Sequence, residues 1–229
     1  MLLNMILSRE DKSAVPDGNT ILLLHGEDFT DSSIYNNQVT NNAVSIVSTH
    51  SKFGNKSLFF NGSAYLTVPG YDFGTKDFTL DWWEYATSEI SGTRFTSNFC
   101  QNFAAQGGGL LVQCYEAGLK VYASTSTNYN WDLLVQPAGV NILNQWVHRA
   151  VVRSNNNLMF FVNGTMEYSY PINGAIGYNS ALPMGIGGWA EQLNLGKAYF
   201  FEGYMNEFRI SNIARWTADF TPPTKQYKV

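Results

Sequence analysis

The sequence predicts an all-β fold, a sandwich of two antiparallel sheets in a single domain, on three observations. Strand-like alternation recurs along nearly the whole chain. The stretches are separated by turns rich in Gly, Asn and Asp. No window long enough for a packed helix holds a 3.6-residue apolar period; the one helical candidate is the turn around Asn212 to Trp216. Composition agrees: 45% apolar, 15% aromatic and 14% charged residues suit many half-buried strands joined by uncharged polar loops. At 229 residues one such domain is the expectation.

Each element follows in order. Met1 to Gly18 reads as an arm, with an apolar tip over Met1 to Leu7, a charged patch over Arg9 to Lys12, and Pro16-Asp17-Gly18 leading into the domain. The tip lacks a basic n-region and a small-residue cleavage site, so no signal peptide is read, and no apolar run reaches the ~18 residues that span a bilayer. Strands are then expected over Thr20–His25, Val44–Val47, Ser57–Phe60, Tyr65–Val68 and Phe78–Tyr85. Turns separate them at Asn36-Asn37, Asn41-Asn42, Asn61-Gly62 and Phe73 to Asp77. Gly109–Tyr115 and Leu119–Ala123 open the second half. Asn144–Arg153 and Leu158–Thr165 continue it as a hairpin across the polar turn Ser154 to Asn157.

Two cysteines leave alternatives open. Cys100 and Cys114 lie symmetrically about residue 107, inside Gly107-Gly108-Gly109, so a symmetric hairpin turning there brings them opposite each other as a disulfide; two free thiols are the other reading.

Four phrases recur in a recognisable order. These are Leu22 to Ser33, Ser51 to Leu66, Asp77 to Trp83, and the run from Asn144 to Pro223 with Gly185-Ile186-Gly187-Gly188-Trp189, Phe201 to Ser211, Ile213 to Trp216 and Phe220 to Pro223. In that order the chain resembles the laminin-G-like branch of the concanavalin A-like jelly rolls, as found in bacterial surface proteins and tailed-phage virions. The resemblance covers residues 19–223, leaving 1–18 as the arm and 224–229 as a tail. It implies a jelly-roll sandwich with Trp82, Trp146 and Trp216 in the core. It also implies a module of recognition or assembly on a virion (tail, fibre or head surface) or at a cell surface. Its partners would be a glycan or host-surface receptor and other virion proteins reached through residues 1–15, with homo-oligomers left open. A structural virion protein docked by its arm is the alternative, and a degenerate glycosidase the third reading.

The same resemblance implies a structural calcium, held by Glu27 with Asp31 after the first strand and by Asn206 on the last long strand. A hard cation prefers charged oxygen ligands, and Asn206 stands where the family carries Asp, which gives up a charge.

Catalysis is not expected. A retaining glycosidase needs two carboxylates about 5 Å apart, and the Glu-x-Asp-x-x-Glu run that the family's enzymes carry is missing. Asp81 and Glu84 stand three apart, on opposite faces of a strand. His25, His50 and His148 hold no metal-binding spacing, and no Gly-x-Ser-x-Gly elbow occurs. Glu207 and Arg209 are expected to pair on one strand face. The net charge of −4 and pI near 5.3 speak against nucleic-acid partners.

Sugars are recognised by aromatic faces ringed with amides and hydroxyls. The sequence places such residues at Tyr35-Asn36-Asn37, Asn128-Tyr129-Asn130-Trp131-Asp132, Tyr178-Asn179 and Trp189. The candidate ligand set is Asn128, Tyr129, Trp131, Asp132, Tyr178 and Trp189.

Overall fold

In the computed structural model, the described residues are 18–87, 95–101, 109–115, 118–125, 132–135, 142–188 and 200–228. They hold strands and turns and no helix. Strands are numbered in chain order. The first, eight-stranded sheet runs β13 (Thr165–Pro171), β12 (Asn157–Val162), β11 (Val147–Ser154), β6 (Phe78–Ala86), β15 (Glu202–Ser211), β4 (Ser57–Asn61), β3 (Ser45–Val47), with β1 (Thr20–Leu24) also on β15. The second, seven-stranded sheet runs β10 (Leu133–Val135), β9 (Gly118–Ala123), β8 (Leu110–Tyr115), β7 (Phe95–Gln101), β14 (Met184–Ile186), β5 (Tyr65–Val68), β2 (Thr40–Asn42). Every named pairing is antiparallel.

Alternation decides what each sheet buries. Phe78, Leu80 and Trp82 of β6, Val151 of β11, and Phe208 and Ile210 of β15 face Phe99, Val112, Val121 and Ile186 of the second sheet in one core. Trp82 and Phe99 both lie against Phe208, at ring-centroid distances of 5.9 and 6.3 Å. Burying a side chain of this size contributes about 2–3 kcal/mol, so the core is the main cohesive term.

β15 serves two partners in succession. Its first half pairs with β4, and after a register shift at Glu207 (φ 54°) its second half pairs with β1. The bulge separates the expected Glu207–Arg209 pair: Arg209 takes Asp81, and Glu207 takes the His25 ring at 2.9 Å.

The outer face of the first sheet is covered by the chain's last described segment, a strap over residues 212–228. Ala214, Trp216 and Phe220 pack on Ala150, Val152, Met159 and Phe161. Trp216 and Phe220 stack at 3.9 Å. The helical turn expected at Asn212 to Trp216 does not form, because Thr79 Oγ1 donates to the Ile213 carbonyl and accepts the Arg215 N–H, drawing the segment along the sheet. Residues 224–228, read as a tail, continue the strap to Tyr227, which is 3% exposed.

The β7–β8 hairpin is asymmetric. A register shift between Ser97 and Phe99 pairs Cys100 with Leu111 and Thr96 with Cys114, so the cysteines are not opposite each other and no disulfide joins them. Strands β7, β10 and β13 were not expected from the sequence, and β2 occupies the Asn41-Asn42 position read as a turn. The arm, apart from Gly18, lies outside the described residues.

Candidate functional site

One end of the second sheet is marked by a single row of paired residues, Val68, Met184, Gln101, Leu110, Ala123 and Leu133. Because neighbouring strands are antiparallel, β5, β7 and β9 end here at Val68, Gln101 and Ala123, β8, β10 and β14 begin here at Leu110, Leu133 and Met184, and the described segments 69–77 and 172–183 lie at this end. The connection from β1 arrives here too, since Thr40 pairs with Thr67 at the mouth of β2.

Buried polar groups hold these loops. Asp31, 3% exposed, accepts the N–H groups of Leu23, Ser33 and Asn37, the Ser33 hydroxyl and the Asn37 amide. That Asx-type network fixes the turn whose tip carries Ile34 and Tyr35, 73% and 53% exposed. Gln101 accepts the Tyr71 N–H at 2.9 Å and donates to the Tyr71 carbonyl, pinning the 69–77 loop to β7.

Arg153 is the main clamp. Fully buried, it donates at 2.7 Å to both the Gly74 and Gly174 carbonyls, tying the 69–77 loop to the 172–183 loop. A third link runs from the Gly177 N–H to the Ser124 carbonyl at 3.0 Å. A fourth joins Thr125 to the Asp132 carboxylate.

The clamped loops gather tyrosines. The Tyr178 hydroxyl donates to the Gly70 carbonyl at 3.3 Å, and Gly70 leaves no room for a side chain, since a Cβ there would sit 2.6 Å from the Leu182 oxygen. Tyr71 follows at once. Its hydroxyl is held above the usual tyrosine range, first by partial burial, then by the nearby Tyr35 phenol and Asp72 carboxylate. Lys76 Nζ lies 5.9 Å from the Tyr71 ring. Tyr35, Tyr71 and Tyr178, with the exposed carboxylates of Asp72 and Asp132, therefore form a rigid aromatic and acidic end.

Of the expected ligand set, the structure brings Asp132 and Tyr178 to this end. Asn128, Tyr129, Trp131 and Trp189 lie outside the described residues. Tyr71, Asp72 and Arg153 were not anticipated as site residues. Arg153 had no readable signal, because an arginine closing a strand is ordinarily taken as solvent-facing.

The carboxylates of β6 do other work. Asp81 faces the strap and is fully buried. Burial alone would raise its pKa, but Arg209, then His148, pull it well below the usual carboxylate range. Glu84 faces the core, where it accepts from Trp82 Nε1, Asn98 Nδ2 and Arg149 Nε at 2.7 to 2.9 Å. The two are thus on opposite sides of the sheet, as their spacing implied.

Each of the expected calcium ligands is engaged by groups of the protein itself. Asp31 is spent on its own loop. Glu27 accepts the N–H groups of Asn55 and Lys56 at 2.7 and 3.2 Å. Asn206 turns its Nδ2 donors on the carbonyls of His25 and Lys56 at 2.7 and 2.9 Å, while its Oδ1 accepts the Lys52 N–H at 2.8 Å. Among the described residues no group of three His, Cys, Asp or Glu side chains is placed to hold a metal.

Comparison with known proteins closes the identification of the family. Residues 60–219 match the laminin-G profile described as the concanavalin A-like lectin/glucanases superfamily. The chain belongs to that superfamily. No curated protein sequence matches it. Solved structures show the same jelly roll at low identity. The binding domain of Paraclostridial Mosquitocidal Protein 1 is 16% identical with a TM-score of 0.65, covering 86% of this chain and 49% of that one. A botulinum neurotoxin type C structure, from a study of cell entry through two ganglioside molecules, is 12% identical with a TM-score of 0.62, covering 86% and 48%. Domain 4 of AbnA, a GH43 extracellular arabinanase of Geobacillus stearothermophilus, in complex with arabinotriose, is 14% identical with a TM-score of 0.63, covering 86% and 93%. This chain of the lectin/glucanase superfamily thus spans about half the length of the two toxin chains and nearly all of the arabinanase domain.

Proposed function

We propose that the chain is a non-catalytic glycan-recognition module whose ligand lies across the clamped loop end. The observation that carries this reading is the grouping of Tyr35, Tyr71 and Tyr178 on loops immobilised by Asp31, Gln101 and Arg153. Ordering is done in advance, so a sugar ring stacked on these phenols does not have to freeze the loops. Asp72 and Asp132 add acceptors for sugar hydroxyls and favour neutral over anionic sugars. The structural relatives include an arabinanase domain solved with arabinotriose and a neurotoxin that engages gangliosides, which supports a carbohydrate class of ligand. A broad glycan array with the wild-type protein and the Tyr35→Ala/Tyr178→Ala double variant tests it. Both side chains are exposed, so the variant keeps its fold. Neutral oligosaccharide signals lost by tenfold or more, about 1.4 kcal/mol, support the reading. An unchanged array profile in the double variant, or an array without hits, removes it.

As a finer reading, the module is a component of a tailed-phage particle, docked through residues 1–15. Its support is the signature order over residues 19–223 and the apolar character of Met1 to Leu7. Deletion of residues 1–15 is then expected to abolish incorporation into particles, and normal incorporation would exclude the anchor.

A further inference from the structure

The superfamily resemblance points to a cation between the end of the first strand and the last long strand, and the residues there are arranged against one. We infer that the Asn206 carboxamide is a covalent stand-in for that cation, making this module independent of calcium. Asn206 is fully buried. Its Nδ2 is the donor to two main-chain carbonyls, His25 just after β1 and Lys56 just before β4. Carbonyl oxygens of this kind are what a hard cation would gather. Its Oδ1 receives the Lys52 N–H, so the orientation of the amide is fixed by the network: turned over, it would set oxygen against both carbonyls and N–H against N–H.

The space is closed as well. A Cβ on Gly26 would lie 2.7 Å from Asn206 Nδ2 and 3.2 Å from the Met205 carbonyl, so the chain passes directly over the amide. Glu27, one of the expected ligands, is turned to the neighbouring loop, where it caps the Asn55 and Lys56 N–H groups. One neutral amide and one carboxylate thus fasten residues 52–56 to β1 and β15. A carboxylate at 206 would reverse this: with no donors, it would face two carbonyl oxygens and need a cation between them.

The test is the effect of calcium on the full-length protein. Wild-type protein purified in the presence of calcium and desalted should carry no stoichiometric metal by elemental analysis. Its melting temperature should be the same in chelator and in about 10 mM calcium, a concentration above the range of weak extracellular sites. Glu27→Gln, which keeps an acceptor for both N–H groups, should remain equally indifferent. Asn206→Asp should melt lower in chelator and recover at least half of the loss in calcium. If Asn206→Asp does not fold in chelator but does so with calcium, the inference stands equally. Bound calcium in the wild type, a calcium-raised melting temperature abolished in Glu27→Gln, or an Asn206→Asp variant as stable as wild type in chelator would each overturn it.

Discussion

The end of the strap rests on a buried charge, and removing that charge should be among the most damaging single changes in the molecule. Asp81 accepts Arg209 Nε and Nη2 at 2.9 and 3.0 Å, His148 Nε2 at 3.4 Å, and the Tyr227 hydroxyl. Arg209 lies 3.7 Å from the centre of the Tyr227 ring. Asp81→Asn keeps the shape but takes the charged partner from a guanidinium that is 1% exposed. Breaking a buried pair in this way costs about 3–5 kcal/mol. At 2–4 °C per kcal/mol for a chain of this size, the midpoint should fall by roughly 6–20 °C at neutral pH. Asp81→Leu/Arg209→Met, which removes both charges, should be less destabilised than Asp81→Asn.

The same network sets the pH response. His148 is held below its ordinary value by burial, against the opposing pull of Asp81, so it is neutral and its contact with Asp81 is a hydrogen bond. Both groups therefore bind fewer protons folded than unfolded. Stability is fully present above about pH 6.5, declines below it as unfolded histidine protonates, and declines again below about pH 4 as unfolded aspartate does. Asp81→Asn should erase the second decline. Calorimetry across that range decides the matter: a loss under about 1 kcal/mol for Asp81→Asn, or an unaltered acid limb, would refute the account.

The remaining expectations are narrower. Gly164→Ala places a Cβ 1.9 Å from the Phe220 carbonyl at φ +81°, so the strap must lift. It should cost at least about 2 kcal/mol and shift Trp216 fluorescence towards the solvent-exposed range; an unshifted spectrum would show that the contact relaxes freely. Arg153→Met keeps the buried stem but releases the Gly74 and Gly174 carbonyls. With charged hydrogen bonds near 1.5–3 kcal/mol each, it should lower the midpoint and weaken glycan binding together, and full binding by the variant would separate the clamp from the site. Because Cys100 and Cys114 are out of register and not joined by a disulfide, thiol titration of the unfolded protein should count both, and reductant should leave the melting temperature unchanged.

Most of the strand order was legible because an apolar inner face writes itself as alternation. Phe78, Leu80 and Trp82 show it in β6, and the Ser154 to Asn157 turn announces its hairpin through Asn155 and Asn156, both at positive φ. Strands lacking that contrast were not readable. β7 carries Ser97, Asn98 and Gln101, polar residues that are all fully buried, so alternation gives no signal there. The strap was hidden for a related reason: Trp216 and Phe220 read as a closing signature, but which face they cover is a tertiary fact. At the loop end, Tyr178 and Asp132 were legible as polar and aromatic loop residues. Tyr71 and Arg153 were not, since their roles depend on Gly70 and Gly74 meeting Gly174 across a hundred positions.

The two acids of β6 are each committed to a structural role. In the superfamily's enzymes, a central strand presents carboxylates from one face to a common groove. Here Asp81 and Glu84 occupy one central strand but diverge, each matched to its own arginine, Arg209 under the strap and Arg149 between the sheets. Neither acid is more than 2% exposed. Freeing either to meet a substrate would take the carboxylate from a buried guanidinium, at a cost of several kcal/mol. The same pairing that makes the sheet rigid thus commits these carboxylates to structure. Among the described residues, the phenol rings and carboxylates held at the loop end by Arg153, Gln101 and Asp31 stay accessible, and the proposed glycan site rests on them.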